Sequence, residues 1–436
     1  MPDNASSRMM PELATAIEKE ARILFVSGVK GDTRRYRSFH PYEQMRLLRI
    51  PCELAHMIDA DLGKKIQGIT VAIIHRVTWD QRVERLFKKL RSQGALVLFD
   101  TDDLIFDTEA VNWIDSPDFQ DPIRFAIYKE DLKRNLHTME SCDAVITSCG
   151  YLAGQVRMLG KPAWVHRNAF SLEMLAVAEE AYRARQPFPE KLVIGYASGT
   201  PTHNRDFALI TPVLLDLMKK YPQIELQVIG PVQLNPDWEP VKNRIRQLRL
   251  VPWRSLPGLL AQFDINLAPL VTSNPFSQSK SEIKYMEAAL LRVPTIASPT
   301  DSFSFAIESG KNGYLADDEA SWKANLEQLV LESDLRRRMG ECAYQSVIES
   351  YHPSVRAKDL VAALNEISQH VGKYEIWSQN EFAYLNEEAA GSLDSKLEYR
   401  PTTFQRGLYN LRYRGIKTLS GQVWFFFRRK MEPIFP

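Results

Sequence analysis

The chain alternates short runs that are apolar throughout with longer stretches of helical period. The first series is Arg22–Gly28 (RILFVSG), Gly68–Val77 (GITVAIIHRV), Gly94–Asp100 (GALVLFD), Cys142–Cys149 (CDAVITSC) and Pro162–Asn168 (PAWVHRN). Runs that are apolar at every position, rather than at every second one, mark strands covered on both faces. Helical segments between them mark the crossovers of a parallel sheet. Leu172–Pro189 reads as a helix rich in Ala, Glu and Arg that closes on RQPFPE, where two nearby prolines mark a boundary. A second series follows: Lys191–Gly199, Ile224–Gly230, Leu248–Trp253, Phe263–Leu270, Arg292–Pro299 and Asn312–Asp318. The pattern predicts an α/β protein with two Rossmann-like domains facing each other across a cleft, where the carboxyl ends of both sets of strands bind ligands. The expected divisions are an N-terminal arm at 1–21, a first domain at 22–186, a second at 187–372 and a C-terminal extension at 373–436.

At 436 residues, with 25% charged and 44% hydrophobic positions, the chain has ample material for two cores. A net charge of +1 gives no field of the kind that holds nucleic acid, so no nucleic-acid partner is expected. The four cysteines (Cys52, Cys142, Cys149, Cys342) show no metal-ligand spacing and read as reduced thiols of a cytoplasmic protein. The first residues lack the apolar core of a signal peptide, and no run approaches a membrane span. No G-x-G-x-x-G follows the first strand of either half, so no dinucleotide cofactor is expected. The extension changes texture: Arg406–Lys430 mixes seven Arg or Lys with Trp424 and three Phe. It reads either as an amphipathic segment on the anionic inner face of a membrane or as an aromatic helix packing on the body or a partner subunit.

Candidate chemistry gathers at strand ends. GALVLFDTDDLIFD carries Asp100, Asp102, Asp103 and Asp107, four carboxylates suited to metal binding, acid–base work, sugar binding or helix capping. Asp100-Thr101-Asp102 is a D-x-D, a weak motif for a metal-dependent transfer. In the second half, Asn274–Pro299 (NPFSQSKSEIKYMEAALLRVPTIASP) runs from a polar loop into a helix. Lys280 and Lys284 stand near its first turn, where the macrodipole disfavours cations, so an anion such as a diphosphate is expected there. Glu287, one turn on, either pairs with Lys284 or accepts two ribose hydroxyls. In the first half, Gly28 and Gly31 open a loop that continues Arg34, Arg35, Tyr36, Arg37. That loop reads as a phosphate-binding element for donor or acceptor, or as a solvated basic loop. Arg167 and Asn168, at the strand end VHRNAF, read as cleft or hinge residues. His40 stands near the start of the helix that follows the Arg-rich loop, His75 reads as a cleft residue or a satisfied core histidine, and His203 as a loop histidine or a direct donor contact.

KSEIKYMEAALLRVPTIASP resembles the donor-binding segment of the family 4 glycosyltransferases, and Ile194–Ile210, Leu226–Pro231, Phe263–Leu270, Ala306–Asp318 and Leu335–Tyr351 resemble other parts of the same domain. The likeness covers about Lys191–Tyr351, extends more weakly through DTDDLIFD and VHRNAFS, and is closest to bacterial transferases that build O-antigen, capsule or other surface polysaccharides. It implies the GT-B fold and a retaining, metal-independent transfer of sugar from a nucleotide-diphosphate donor to a glycan or lipid-linked acceptor, in the cytoplasm or peripherally at the membrane. By the same resemblance Glu287 is the ribose-binding second glutamate of an E-x7-E pair, whose first member falls at Ser279, with Glu282 as its substitute. Lys280 and Ser281 hold the β-phosphate, Arg205 clamps the diphosphate, and Ser198 and Gly199 form the loop before it. Gly230 belongs with the donor-binding positions, and Leu250–Trp253, with Pro252, forms the loop against which the base packs. Asp102 takes the place of the family's acceptor-side histidine, and Asp103 caps the following segment. Other readings consistent with the fold are a catalytically silent GT-B subunit that binds glycans and a sugar-nucleotide epimerase.

Overall fold

The computed structural model describes residues 21–186 and 190–372, with 409, 410, 412 and 414. Two six-stranded sheets, parallel at every pairing, carry the fold. The first contains β1 (Ile23–Ser27), β2 (Cys52–His56), β3 (Val71–His75), β4 (Leu96–Thr101), β5 (Ala144–Thr147) and β6 (Ala163–Val165), in the order β2-β1-β3-β4-β5-β6. The second contains β7 (Leu192–Ala197), β8 (Ile224–Ile229), β9 (Ile245–Leu248), β10 (Ile265–Ala268), β11 (Thr295–Ala297) and β12 (Tyr314–Leu315), in the order β12-β11-β10-β7-β8-β9. In each sheet the strand order reverses beside the first strand, between β1 and β3 and between β7 and β10. A crevice therefore opens beyond the carboxyl ends of those strands. The two-sheet α/β architecture expected from the apolar runs is the one observed.

Burial on both faces explains those runs. Every residue of β1 and β3 is buried. Leu24 and Val26 face a layer that includes Val83, Leu86, Phe87 and Leu90 of the helix Gln81–Ser92. Ile23 and Phe25 face the opposite layer, and that layer is completed from far along the chain. Ala357, Leu360, Val361, Leu364 and Ile367 of the helix Pro353–His370 lie in the same cluster. The preceding helix, Ser333–Tyr351, packs instead on the second sheet through Met339, Ala343 and Val347. The chain thus crosses back at His352–Pro353, and the last helix of the stretch assigned to the second domain covers the first sheet.

Three local expectations need correction. The strand placed at Leu248–Trp253 is β9 at Ile245–Leu248, and Val251 and Pro252 sit in a loop. The apolar letters there are not core, since Leu250 is 59% exposed. β2 escaped notice because it is an edge strand whose Cys52, Glu53 and Leu54 are only half-buried. The Arg-rich segment after β1 is mostly helical, with a turn at Asp32–Arg34 and a π-helical stretch at Arg35–Phe39 running into the helix His40–Leu47. Gly31 stands at its start with φ 82°, a left-handed conformation suited to glycine. No described helix is long and apolar enough to cross a membrane. The extension lies almost wholly outside the described residues. At its four described positions, Tyr409 donates a hydrogen bond to Asp80 (2.7 Å), and Arg414 reaches Thr78.

Candidate active site

The crevices of the two sheets meet in one cavity of ≈ 270 Å³. Its walls set four cations, Arg35, Arg76, Lys280 and Lys284, against four carboxylates, Asp32, Asp102, Asp103 and Glu287. Arg76, Asp102 and Asp103 directly follow strand ends, Asp32 and Arg35 lie in the helical segment after β1, and Lys280 precedes the helix Ile283–Ala289 that carries Lys284 and Glu287.

On the first-domain side the aspartates of DTDDL separate by role. Asp100, the fifth residue of β4, points inward, and Arg37 holds both its oxygens through Nε (2.9 Å) and a terminal nitrogen (2.6 Å). Arg37 also donates to the His166 carbonyl and to Asn168 Oδ1, which satisfies a fully buried guanidinium. Asp102 faces the cavity and accepts from Arg76 Nε at 2.5 Å, with His75 Nε2 at 3.5 Å. Burial alone raises its pKa, but Arg76 and His75 outweigh it and hold the carboxyl well below the usual range. Burial lowers the pKa of His75, whose Nδ1 lies 3.1 Å from the Ser27 hydroxyl. The D-x-D pair is therefore neutralised by two arginines. Asp103 does not cap a helix. Its carboxylate accepts from Lys280 Nζ (3.0 and 3.1 Å) and the Ser279 hydroxyl (3.1 Å), and lies 3.2 Å from Arg76. Arg76, absent from the candidates drawn from sequence, is the organiser of this wall. It has φ 45°, and its carbonyl sits 2.3 Å from where a Cβ on Gly28 would be. Its position at the end of β3, beside the strand-order switch, was the available signal.

On the second-domain side Lys280 and Ser281 precede the short helix Ile283–Ala289. Lys280 lies over the Phe276 ring at 3.6 Å, and Ser281 accepts a hydrogen bond from Asn168 Nδ2. Lys284 is half-buried; it donates to the Ala197 carbonyl (2.6 Å), and desolvation pushes its pKa down to about 8 against the pull of Glu287 and Asp206. Glu287 does not pair with Lys284 by hydrogen bond. Its Oε1 accepts from the Tyr36 hydroxyl at 2.7 Å, and burial raises its pKa. Ser198 and Gly199 line the cavity, and Gly230, with φ 101°, lies directly behind them, since a Cβ there would meet the Ser198 carbonyl at 1.8 Å. His203 also lines it, bonded to Asp206 at 2.7 Å. Leu250, Val251 and Trp253 form one end, with the Trp253 indole flanked by Arg35 at 4.7 Å and Arg254 at 4.6 Å. Pro252 sits between them without lining the cavity.

Several candidates lie elsewhere. Arg205 is exposed and outside the lining, because the turn at Pro201–His203 points its neighbours Asp206 and His203 inward instead. Arg34 is buried over the Phe39 ring, and burial lowers its pKa. Glu282 cannot substitute for a carboxylate at Ser279. It is buried behind the site, accepting from Tyr351 (2.7 Å) and facing Arg167 (3.4 Å). Arg167 in turn lies over the Phe305 ring at 3.5 Å, and with Asn168 it ties the domains together outside the cavity.

Comparison with known proteins places this geometry. Residues 211–362 match a family model described as glycosyl transferase-like. A D-inositol 3-phosphate glycosyltransferase of Corynebacterium jeikeium is 27% identical over 172 residues, 36% of this chain and 39% of that protein. The chain thus aligns with about two fifths of that relative's length. Among solved structures, HepE of Anabaena in complex with UDP and glucose superimposes with TM-score 0.53 at 13% identity, covering 79% of this chain and all of that one. Sucrose-phosphate synthase of Thermosynechococcus elongatus superimposes with TM-score 0.54 at 12% identity, covering 80% and 100%. The chain therefore has the two-domain GT-B fold, and residues 211–362, which run through the second sheet into the helix Pro353–His370, carry the glycosyl transferase-like region.

Proposed function

We propose that the protein is a retaining, metal-independent glycosyltransferase that moves a sugar from a nucleotide-diphosphate sugar to a glycan or lipid-linked acceptor in surface polysaccharide synthesis. The observation that carries this reading is the set Lys280, Lys284 and Glu287 in one cavity opposite Asp102. Transfer forms a bond from an acceptor oxygen to the anomeric carbon and breaks the bond from that carbon to the diphosphate, which departs with growing negative charge. Two lysines can stabilise that charge without a metal ion. Glu287 has its second oxygen for ribose hydroxyls, and the end walled by Leu250, Val251 and Trp253 is apolar enough for a base. Asp102, kept anionic by Arg76, is too acidic to take a proton and serves to orient a hydroxyl, so the acceptor proton passes to the departing diphosphate. The HepE structures contain UDP, UDP-glucose and glucose, which supports a nucleotide-sugar donor for the shared fold. Work at the inner membrane face rests on the composition of Arg406–Lys430.

Calorimetry with UDP- and GDP-sugars, with and without EDTA, and a donor-hydrolysis screen test the reading. The expected result is metal-independent binding and slow hydrolysis of one donor, with Lys280→Ala lowering kcat/KM by roughly 100-fold, the scale of one lost oxyanion donor. Ser279, where a carboxylate was expected, supports a second reading as a silent glycan-binding subunit. Donor binding without turnover on any lipid or glycan acceptor would select it.

A further inference from the structure

Two of the three groups that the proposed reaction assigns to the donor, Lys280 and Glu287, are already engaged by the opposite domain. Lys280 is held by the Asp103 carboxylate at 3.0 and 3.1 Å, and Glu287 accepts from the Tyr36 hydroxyl at 2.7 Å. The chemistry of each contact matches what the donor would bring: an anion with two oxygens on a lysine, and an alcohol-like hydroxyl on a carboxylate. Neither contact is an incidental surface pair. The Lys280 and Asp103 side chains are 22% and 14% exposed, and Tyr36 is buried edge-on against His40. Asp103 is also steadied by the Ser279 hydroxyl and Arg76, and both of its cationic partners line the cavity.

We propose that Asp103 and Tyr36 are affinity-setting residues that occupy, in the donor-free cleft, the places of the donor's phosphate and ribose hydroxyl. Donor binding then exchanges one set of contacts for the other. The phosphate displaces Asp103 from Lys280 and leaves it paired with Arg76, while a ribose hydroxyl displaces Tyr36 from Glu287. The exchange lowers the net gain from donor binding, because each ligand contact replaces an internal one. It also confines the free lysine to the moment when a diphosphate is present.

This inference rests on the donor assignment above, and the experiment separates the two. Binding of UDP, GDP, uridine and guanosine is measured calorimetrically for the wild type and for Asp103→Asn, Ser279→Ala, Tyr36→Phe and Lys280→Ala. Removing the internal competitor should tighten the preferred nucleoside diphosphate about fivefold in Asp103→Asn, the scale of a partly exposed ion pair, and leave the nucleoside unchanged. Tyr36→Phe should tighten both nucleotide and nucleoside. Ser279→Ala, which loosens Asp103 without touching the lysine, should act in the same direction but less, and it carries the test if Asp103→Asn does not fold. Unchanged or weaker nucleotide binding in the Asp103 and Ser279 variants, with Lys280→Ala still weakening it, overturns the inference alone. If Lys280→Ala has no effect, or neither nucleotide binds the wild type, the donor assignment falls and takes the inference with it.

Discussion

The charge states of two residues decide how the cavity responds to pH. Lys284 is pushed down to about 8 by burial, with Lys280 adding repulsion and Glu287 and Asp206 opposing it. Its ammonium is present below pH 8 and is lost as pH rises through that value, so nucleoside diphosphate affinity should fall above pH 8. Lys284→Arg, whose charge does not titrate there, should keep its affinity to pH 9 in the same calorimetric series. The stability consequence has the opposite sign. Between pH 8 and about 10.4 the unfolded chain binds more protons at this residue than the folded one, so this group's contribution to unfolding free energy rises with pH across that window. Asp102 is the reverse case. Its folded pKa is depressed because Arg76 and His75 outweigh burial, so its contribution to stability is fully present above about 4 and is lost as pH falls below it. Arg76→Gln removes the largest opposing charge, so burial is opposed only by His75 and Arg37 and the Asp102 pKa should rise. The pH profile of donor hydrolysis should then gain an acid limb at higher pH than the wild type. An unchanged acid limb in that variant would mean that Asp102 is not required as an anion. These residues also mark where sequence reading stops. Lys280, Lys284, Glu287 and Asp102 were legible because each breaks a local preference or follows a strand. Tyr36 reaching Glu287, and Glu282 turning to Tyr351, are contacts over 251 and 69 residues of separation that no local pattern encodes.

At the scale of elements, the turn after β1 and the turn after β3 are built against each other. A Cβ on Gly28 would stand 2.3 Å from the Arg76 carbonyl and 2.8 Å from the Val77 Cα, and backbone atoms cannot swing aside as a side chain can. Gly28→Ala should therefore cost about 2–3 kcal/mol, read from the denaturant midpoint, and should weaken nucleotide binding by moving Arg76 and the carboxylates it holds. Normal stability in Gly28→Ala would show that the two turns part freely. The strands themselves were legible because ten of the described twelve carry runs of buried apolar residues or lie inside the predicted segments. β2 was not, since an edge strand half-open to solvent need not be apolar. The segment Leu248–Trp253 misled for the converse reason: its apolar residues serve the cavity wall rather than the sheet. Asp80 shows one residue serving two elements. It accepts from the Arg82 and Val83 amides as the N-cap of Gln81–Ser92, and it takes the Tyr409 hydroxyl. Asp80→Ala should cost about 1–2 kcal/mol from the cap, and more if the tail contact also contributes, with Tyr409→Phe separating the two in a thermal melt.

For the whole molecule, the consequence lies in the path of the chain rather than in its site. The first sheet buries Ile23 and Phe25 against a helix that the sequence delivers only at Pro353–His370, after the second domain is complete. The covering residues Leu360, Leu364 and Ile367 are almost fully buried and share that face with Met45, Leu48 and Ile50, so removing them would expose a large part of one face of a parallel sheet, whose strands are apolar on both sides. The first domain is thus contiguous in space but not in sequence. A fragment of residues 22–186 should not fold cooperatively by itself, and adding a peptide of residues 353–370 should restore near-native circular dichroism and a cooperative melt. In the full chain, Leu364→Ala should cost about 2–5 kcal/mol, with amide protection falling first in β1 and β3 while β7 and β8 stay protected. Cooperative unfolding of 22–186 without the peptide would show that the returning helix is dispensable. The same route constrains cleft motion: because the chain crosses between domains ahead of the helix Leu172–Arg183, whose Met174 and Ala178 pack with the second sheet, and again at His352–Pro353, any opening must turn about two strands of backbone, which favours a hinge over free separation.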